Sequence, residues 1–229
     1  MVSPLACASR CCCVEPYPQP MVALRLVVVF AAGMAFGCDA NDPAPPRSKP
    51  SHVDASDGYP AGPHGVTVGA IVANISWEGW VAPKESEFDP AVFETISLSD
   101  YYDPDGEMGY RAIFVNASAR WCSICKIEQS HIREQHNLWN PKGVVFIEAL
   151  FEDAGSGPAT VNDLVAWGKT YQVEWSLVLD PTNKLGRFFD RSASPMNMII
   201  NAKTMEIRDI ITGMPDASWW SSHLEPLTQ

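Results

Sequence analysis

The chain of 229 residues carries 16 lysines and arginines against 27 aspartates and glutamates, a formal net charge of −11. That balance argues against nucleic-acid binding and against electrostatic capture by anionic lipid. With 46% hydrophobic residues, the chain can build one domain with a sizeable core beside its flanking segments. Four of the seven cysteines, Cys7, Cys11, Cys12 and Cys13, precede a second methionine, Met21. From Met21 the pattern is that of an export signal: Arg25, the apolar run Leu26 to Phe36, then Gly37-Cys38. The run is about half of the roughly 20 residues a spanning helix needs. Residues 1–20 therefore read as an over-extended start, and residues 1–37 as that start plus a signal peptide.

The step Ala35-Phe36-Gly37-Cys38 resembles a bacterial lipobox, although Ala35 stands where leucine is usual and Phe36 where a small residue is usual. The resemblance implies that Cys38 is lipidated and becomes the mature N-terminus. The protein would then be lipid-anchored in a bacterial cell envelope and face the periplasm. The alternatives are a plain cleaved signal and a single anchor helix. Residues 39–58 are almost all Pro, Ser, Asp and Ala and cannot bury enough surface to fold, so 38–58 reads as the lipidated cysteine and a disordered tether. Residues 59–229 form the domain.

Along that domain the pattern predicts a strand region at Val66–Trp77, a short strand near Phe93–Ile96 and a turn at Asp100–Glu107. The carboxylates of this turn lack the spacing of a calcium loop, and Asp103-Pro104-Asp105-Gly106 is ordinary turn chemistry. A strand at Arg111–Asn116 leads to a helix from Cys122 to about Leu138, stopped by Asn140-Pro141-Lys142-Gly143. Val144–Leu150 is a continuous apolar-rich strand of parallel-sheet type. Thr160 caps a helix to about Tyr171, with Asp163 in its first turn. Then follow a short strand at Trp175–Leu179, a helical turn or two at Asn183–Phe189 and a hairpin of Met196–Ile200 with Glu206–Ile211. A last helix opens at Trp219-Trp220 and runs to Leu227. This order predicts a thioredoxin-like α/β sandwich: a central mixed sheet, helices on both faces and a short N-terminal β extension.

Trp121-Cys122-Ser123-Ile124-Cys125 carries the chemistry. Two thiols three residues apart, directly behind the buried-strand pattern Ala112-Ile113-Phe114-Val115, suit a redox dithiol better than two ordinary core cysteines. A structural zinc site is disfavoured because it wants four ligands, usually from two such pairs. A helix that starts at Cys122 puts its sulfur over unpaired N–H groups, which favours thiolate, and Arg120 and Lys126 add positive charge. Cys122 is thus the expected nucleophile and Cys125 the resolving thiol. Trp121 abuts the pair and is expected to shield or orient it.

These elements, with the stretches Val115–Glu128 and Ser194–Ile200, resemble the TlpA-like group of the thioredoxin superfamily: membrane-tethered or exported thiol–disulfide oxidoreductases that shade into the peroxiredoxin-type redoxins. The resemblance spans roughly Val66 to the C-terminus. It implies that Pro195 follows a cis peptide bond and faces the cysteines, that the backbone of Ser194 pairs with an extended substrate segment, and that the ring keeps metals off the dithiol. It further implies disulfide exchange with protein thiols and disulfides and an unidentified redox partner, with no cofactor beyond the Cys122–Cys125 disulfide and no metal.

Some positions depart from the pattern. Thioredoxins proper carry a buried aspartate where this chain has Asn116, and Ser130 replaces a helix-kinking proline, which implies a straighter helix. Glu128 matches an acidic position common in the group, so Glu128 and Asn116 are candidates for the proton relay to Cys125; the plainer reading of Glu128 is a solvated helix carboxylate. Ala119 stands where a peroxidatic site needs threonine. A copper-binding assembly factor of the same fold would need a histidine as third ligand, yet none of His52, His64, His131, His136 and His223 is placed by a motif, and all five read as surface residues. A redox-regulated interaction protein without turnover is the other alternative.

Overall fold

The computed structural model describes residues 58–83 and 88–229. The predicted signal segment 1–37, the predicted lipidation site Cys38 and nearly all of the predicted tether lie outside the described residues. The strands are β1 (Ser76–Trp80), β2 (Glu94–Ser97), β3 (Ala112–Ala119), β4 (Val144–Glu152), β5 (Ser176–Leu179), β6 (Met196–Asn201) and β7 (Ile207–Thr212). The helices are α1 (Ser123–Trp139), α2 (Val161–Tyr171) and α3 (Ala217–Thr228). All seven strands join one mixed sheet in the order β2-β1-β5-β4-β3-β6-β7. β3, β4 and β5 are parallel, while β1, β2, β6 and β7 pair antiparallel.

β3 and β4 are buried at every position, which is why both read as apolar runs without alternation. The two crossovers β3-α1-β4 and β4-α2-β5 carry the helices across the sheet. Side chains two apart on a strand share a face, and on β4 that face meets all three helices. Phe146 touches His136 of α1 and Trp220 of α3, and Glu148 is bonded by Gln129 of α1 and Trp167 of α2. The opposite-facing Val145, Ile147 and Ala149 are buried too, so the sheet is covered on both sides. None of the described helices is long and apolar enough to cross a membrane.

Local chemistry explains the helix ends. Thr160 and Asp163 form a capping box at α2, and α3 begins at Ala217, two residues ahead of the predicted start, capped by Asp216, which accepts from the Trp219 amide. α1 tightens into a 3-10 turn at Asn140–Lys142, which ends where Gly143 turns left-handed, φ +94°; a Cβ there would stand 2.5 Å from the Gly109 carbonyl.

The N-terminal strand region predicted at Val66–Trp77 is corrected. Residues 66–75 form a loop strapped to the β6–β7 turn, with the Val72 amide bonded to the Met205 carbonyl and the Ile207 amide to that of Ala70. Val66 and Val68 are exposed, so their β-branched side chains have no core to face. The strand itself is Ser76–Trp80.

Candidate functional site

The site forms where β3 ends and α1 begins. Cys122 and Cys125 are joined in a disulfide, with Cα atoms 5.3 Å apart. Cys122 is the N-cap of α1. Its Sγ accepts the Cys125 amide at 3.0 Å and its carbonyl accepts the Lys126 amide at 3.3 Å. The sulfur thus occupies the place where a capping oxygen usually sits, facing the positive end of the helix dipole. Cys122 is 3% exposed and Cys125 not at all.

Arg120 does not stand free beside the sulfur. Its guanidinium is paired with Asp163 at the start of α2. Burial of that carboxyl raises its proton affinity, but bonds from Thr160 and Arg120 outweigh it and hold Asp163 below the usual carboxylate range. Of the two predicted cations, only Lys126 is exposed.

The second wall comes from the segment before β6. The Ser194–Pro195 bond is cis, and the Ser194 carbonyl oxygen lies 3.5 Å from Cys122 Sγ. The Ser194 hydroxyl donates to the Arg191 carbonyl at 2.7 Å, and the Pro195 carbonyl accepts the Gly213 amide at 2.7 Å. Glu152, at the end of β4, ties the two walls together: it accepts from the Trp121 indole at 2.6 Å and pairs with Arg191 at 3.0 Å. Trp121, Glu152, Ser156, Arg191 and Ser192 line a groove of about 250 Å³.

Beneath α1 lies a polar row. Asn197 of β6, Asn116 of β3 and Glu148 of β4 stand side by side in register. Glu128, one turn beyond Cys125 on α1, is fully buried above them, which overturns the reading of a solvated helix carboxylate. The Asn197 amide donates to one Glu128 oxygen at 2.7 Å and the Asn116 amide to the other at 3.0 Å. Burial pushes the Glu128 carboxyl up to about 8; the bonds from Asn197 and Asn116 oppose this and the Glu148 charge adds to it. Glu148 is wholly buried and also raised by burial, although Trp167, Trp175, Gln129 and Ser118 bond to it.

The structure therefore brings together Trp121, Cys122, Cys125, Ser194 and Pro195, and sets Glu128 and Asn116 in one buried network behind Cys125. It adds Glu148, Asn197, Gln129 and Glu152, none of which the sequence analysis singled out. A carboxylate in the middle of the apolar run Val144–Leu150 was the available signal for Glu148.

The histidines go elsewhere. His64 and His131 are exposed, His52 lies outside the described residues, and His223 pairs with Asp209 and the Trp219 carbonyl. His136 is half-buried rather than fully exposed: it packs on Phe146 and Trp175, and burial lowers its ring to about 4.

No protein-family model and no curated protein matches the sequence. Solved structures do match in fold. One is described as a thiol:disulfide interchange protein, DsbE, from Chlorobium tepidum, with a TM-score of 0.55, 13% identity, and coverage of 72% of this chain and 100% of that one. A DsbF homologue from Corynebacterium diphtheriae gives 0.52 at 17% identity, covering 69% and 87%. A thiol:disulfide interchange protein from Bacteroides sp. gives 0.52 at 11%, covering 72% and 92%. The fold is thus thioredoxin-like, an α/β sandwich on a mixed seven-stranded sheet.

Proposed function

We propose that this chain is a thiol–disulfide oxidoreductase, exported and tethered to a bacterial envelope membrane through Cys38, that exchanges disulfides with partner proteins. The observation that carries the reading is Cys122 at the helix N-cap, its sulfur accepting the Cys125 amide at 3.0 Å with Cys125 buried behind it. The fold neighbours, described as thiol:disulfide interchange proteins, support it.

In the reducing direction the Cys122 thiolate attacks one sulfur of a partner disulfide, and the partner's other sulfur leaves as a thiolate that takes a proton. Cys125 then loses its proton and attacks Cys122 Sγ, which breaks the mixed disulfide and releases the second partner thiolate. The partner gains two electrons and two protons, and the protein is left as the Cys122–Cys125 disulfide. The reverse order makes it an oxidant. Glu128 is the proton acceptor for Cys125: both lie on one buried face of α1, three residues apart, and its titration near neutrality matches the task. Ser194 supplies backbone for an extended substrate strand, and the groove beside Trp121 receives a flanking side chain.

Thiol alkylation of the reduced protein tests the roles. Cys122 should react first, with a midpoint below the ordinary thiol value of about 8.5; first reaction at Cys125 reverses the assignment. Equilibration against glutathione gives the direction. Mass spectrometry of a membrane fraction should find an acylated peptide beginning at Cys38, and an intact Ala35-Phe36-Gly37-Cys38 peptide would remove the tether from the proposal.

A further inference from the structure

The tip of β4 carries a bulge. Ser118 pairs with Leu150, but at the next step Ala119 pairs with Glu152 rather than Phe151, so β4 spends one extra residue beside the dithiol. The shift sets Glu152 against the segment that leads into the cysteines. Its carbonyl accepts the Arg120 amide at 2.9 Å. Its side chain is only 9% exposed, and one carboxylate oxygen accepts from the Trp121 indole at 2.6 Å while the other accepts from Arg191 at 3.0 Å. The strand end is braced from behind: the Asp153 amide donates to the Gly157 carbonyl at 2.8 Å, and the Asp153 carboxylate accepts the Gly155 and Gly157 amides. Glu152 is thus a fixed post with two arms.

Both arms lead to Cys122. Trp121 precedes it in the chain. Arg191 reaches it through Ser194, whose amide and hydroxyl donate to the Arg191 carbonyl at 3.3 and 2.7 Å, and whose own carbonyl oxygen lies 3.5 Å from Cys122 Sγ. The contacts close a circuit from Glu152 through Trp121, Cys122, Ser194 and Arg191 back to Glu152.

We propose that Glu152 is a positioning residue for disulfide exchange, a clasp that sets the gap between Trp121 and the Ser194 segment where the partner's strand is received. The contacts of Cys122 Sγ come from Cys125 and Ser194 and not from Glu152. The clasp therefore governs how a partner is held, not the proton affinity of the sulfur. A carboxylate suits the place because both of its oxygens accept; a glutamine would turn its amide nitrogen toward one of the two donors. The Arg191 side chain is 67% exposed, so solvent screens its arm and the indole arm carries more of the effect. The positioning role rests on the proposed thiol–disulfide activity; the coupling of Trp121 to Arg191 through Glu152 does not.

Nitrogen-15 in the tryptophan indoles reads the clasp without catalysis. The Trp121 Nε1–H resonance, assigned by its loss in Trp121→Phe, should move in Glu152→Gln. It should also move in Arg191→Ala, although the guanidinium bonds to Glu152 and not to the indole. A resonance unmoved in Arg191→Ala overturns the clasp. Single-turnover reduction of a synthetic disulfide-bonded peptide, by protein reduced beforehand and freed of reductant, reads the role. Glu152→Ala should raise the half-saturating peptide concentration about tenfold and Arg191→Ala about threefold, with the double variant no worse than Glu152→Ala. The equilibrium constant against glutathione should change by less than about twofold in each, since the sulfurs keep their contacts. Effects that multiply in the double variant, or an unmoved half-saturating concentration, overturn the proposal. Should Glu152→Ala fail to fold, the surface variant Arg191→Ala carries both readouts. A wild type with the coupled resonance and no reduction of the peptide refutes the proposed activity and leaves the coupling standing, so the two failures are distinct.

Discussion

Two rows of side chains cross β6, β3 and β4 two residues apart, and they follow opposite rules. Asn197, Asn116 and Glu148 form one; Ile199, Phe114 and Phe146 form the other. α1 matches the change along its length, burying Cys125, Glu128 and Gln129 over the first and Ile132 and Trp139 farther on. The apolar row is finished with rings, Trp220 lying 4.5 Å from Phe114 and His136 5.2 Å from Phe146 between centroids. One helix on one sheet thus stabilises the fold with its second half, while its first half holds buried carboxyls at a cost in stability. The cost falls beside the disulfide, where function and packing compete.

The largest expected effect is at the dithiol. Cys122→Ser should abolish disulfide exchange, and Cys125→Ser should stop it one step later, leaving partners trapped on Cys122 as mixed disulfides that a non-reducing gel resolves. Turnover by Cys125→Ser at the wild-type rate would sink the two-cysteine mechanism. In the apolar half, Ile132→Ala should cost about 2–5 kcal/mol in denaturant unfolding, since the side chain is fully buried. It should leave the potential of the disulfide unchanged; a shifted potential would show that the two halves are not separable.

The halves should also respond to pH with opposite sign. Glu128 is raised from 4.5 to about 8, so between those values the fold binds a proton that the unfolded chain releases. Its contribution is full below about 4.5 and is lost as pH rises through about 8. Glu128→Gln should remove this slope, flattening a fall in Tm of roughly 10 °C between about pH 4.5 and pH 8, and should slow the resolving step. An unchanged slope would place this pH sensitivity elsewhere. His136 is lowered from 6.5 to about 4, so here the unfolded chain binds the extra proton. That stability is full above about 6.5 and is lost as pH falls toward 4. His136→Leu should make the smallest change, raising Tm near pH 5 by a few degrees with no change in exchange rate; greater acid sensitivity in the variant would contradict a ring buried neutral.

The order of elements was legible because each rests on local pattern: unbroken apolar runs for β3 and β4, the Thr160–Asp163 box for α2, and Pro141 with Gly143 after α1. The dithiol was legible for the same reason, since Cys122 and Cys125 lie one turn apart on a helix whose start the strand before it announces. What failed concerned neighbours distant in sequence. Arg120 looked like a free cation until Asp163, 43 residues on, came beside it. Glu128 looked solvated because its burial depends on Asn197, 69 residues away.

Sequence alone determined the mixed sheet's elements, the cysteine pair and its place at a helix N-terminus, because backbone propensity, capping and the 3.6-residue period act over a few neighbouring residues. Only the tertiary structure decided which carboxyls are dry and which donors surround them. Proton affinity depends on burial and on donors gathered from strands far apart in the chain, and Asn197, Asn116 and Glu148 become a row only once β6, β3 and β4 lie in register.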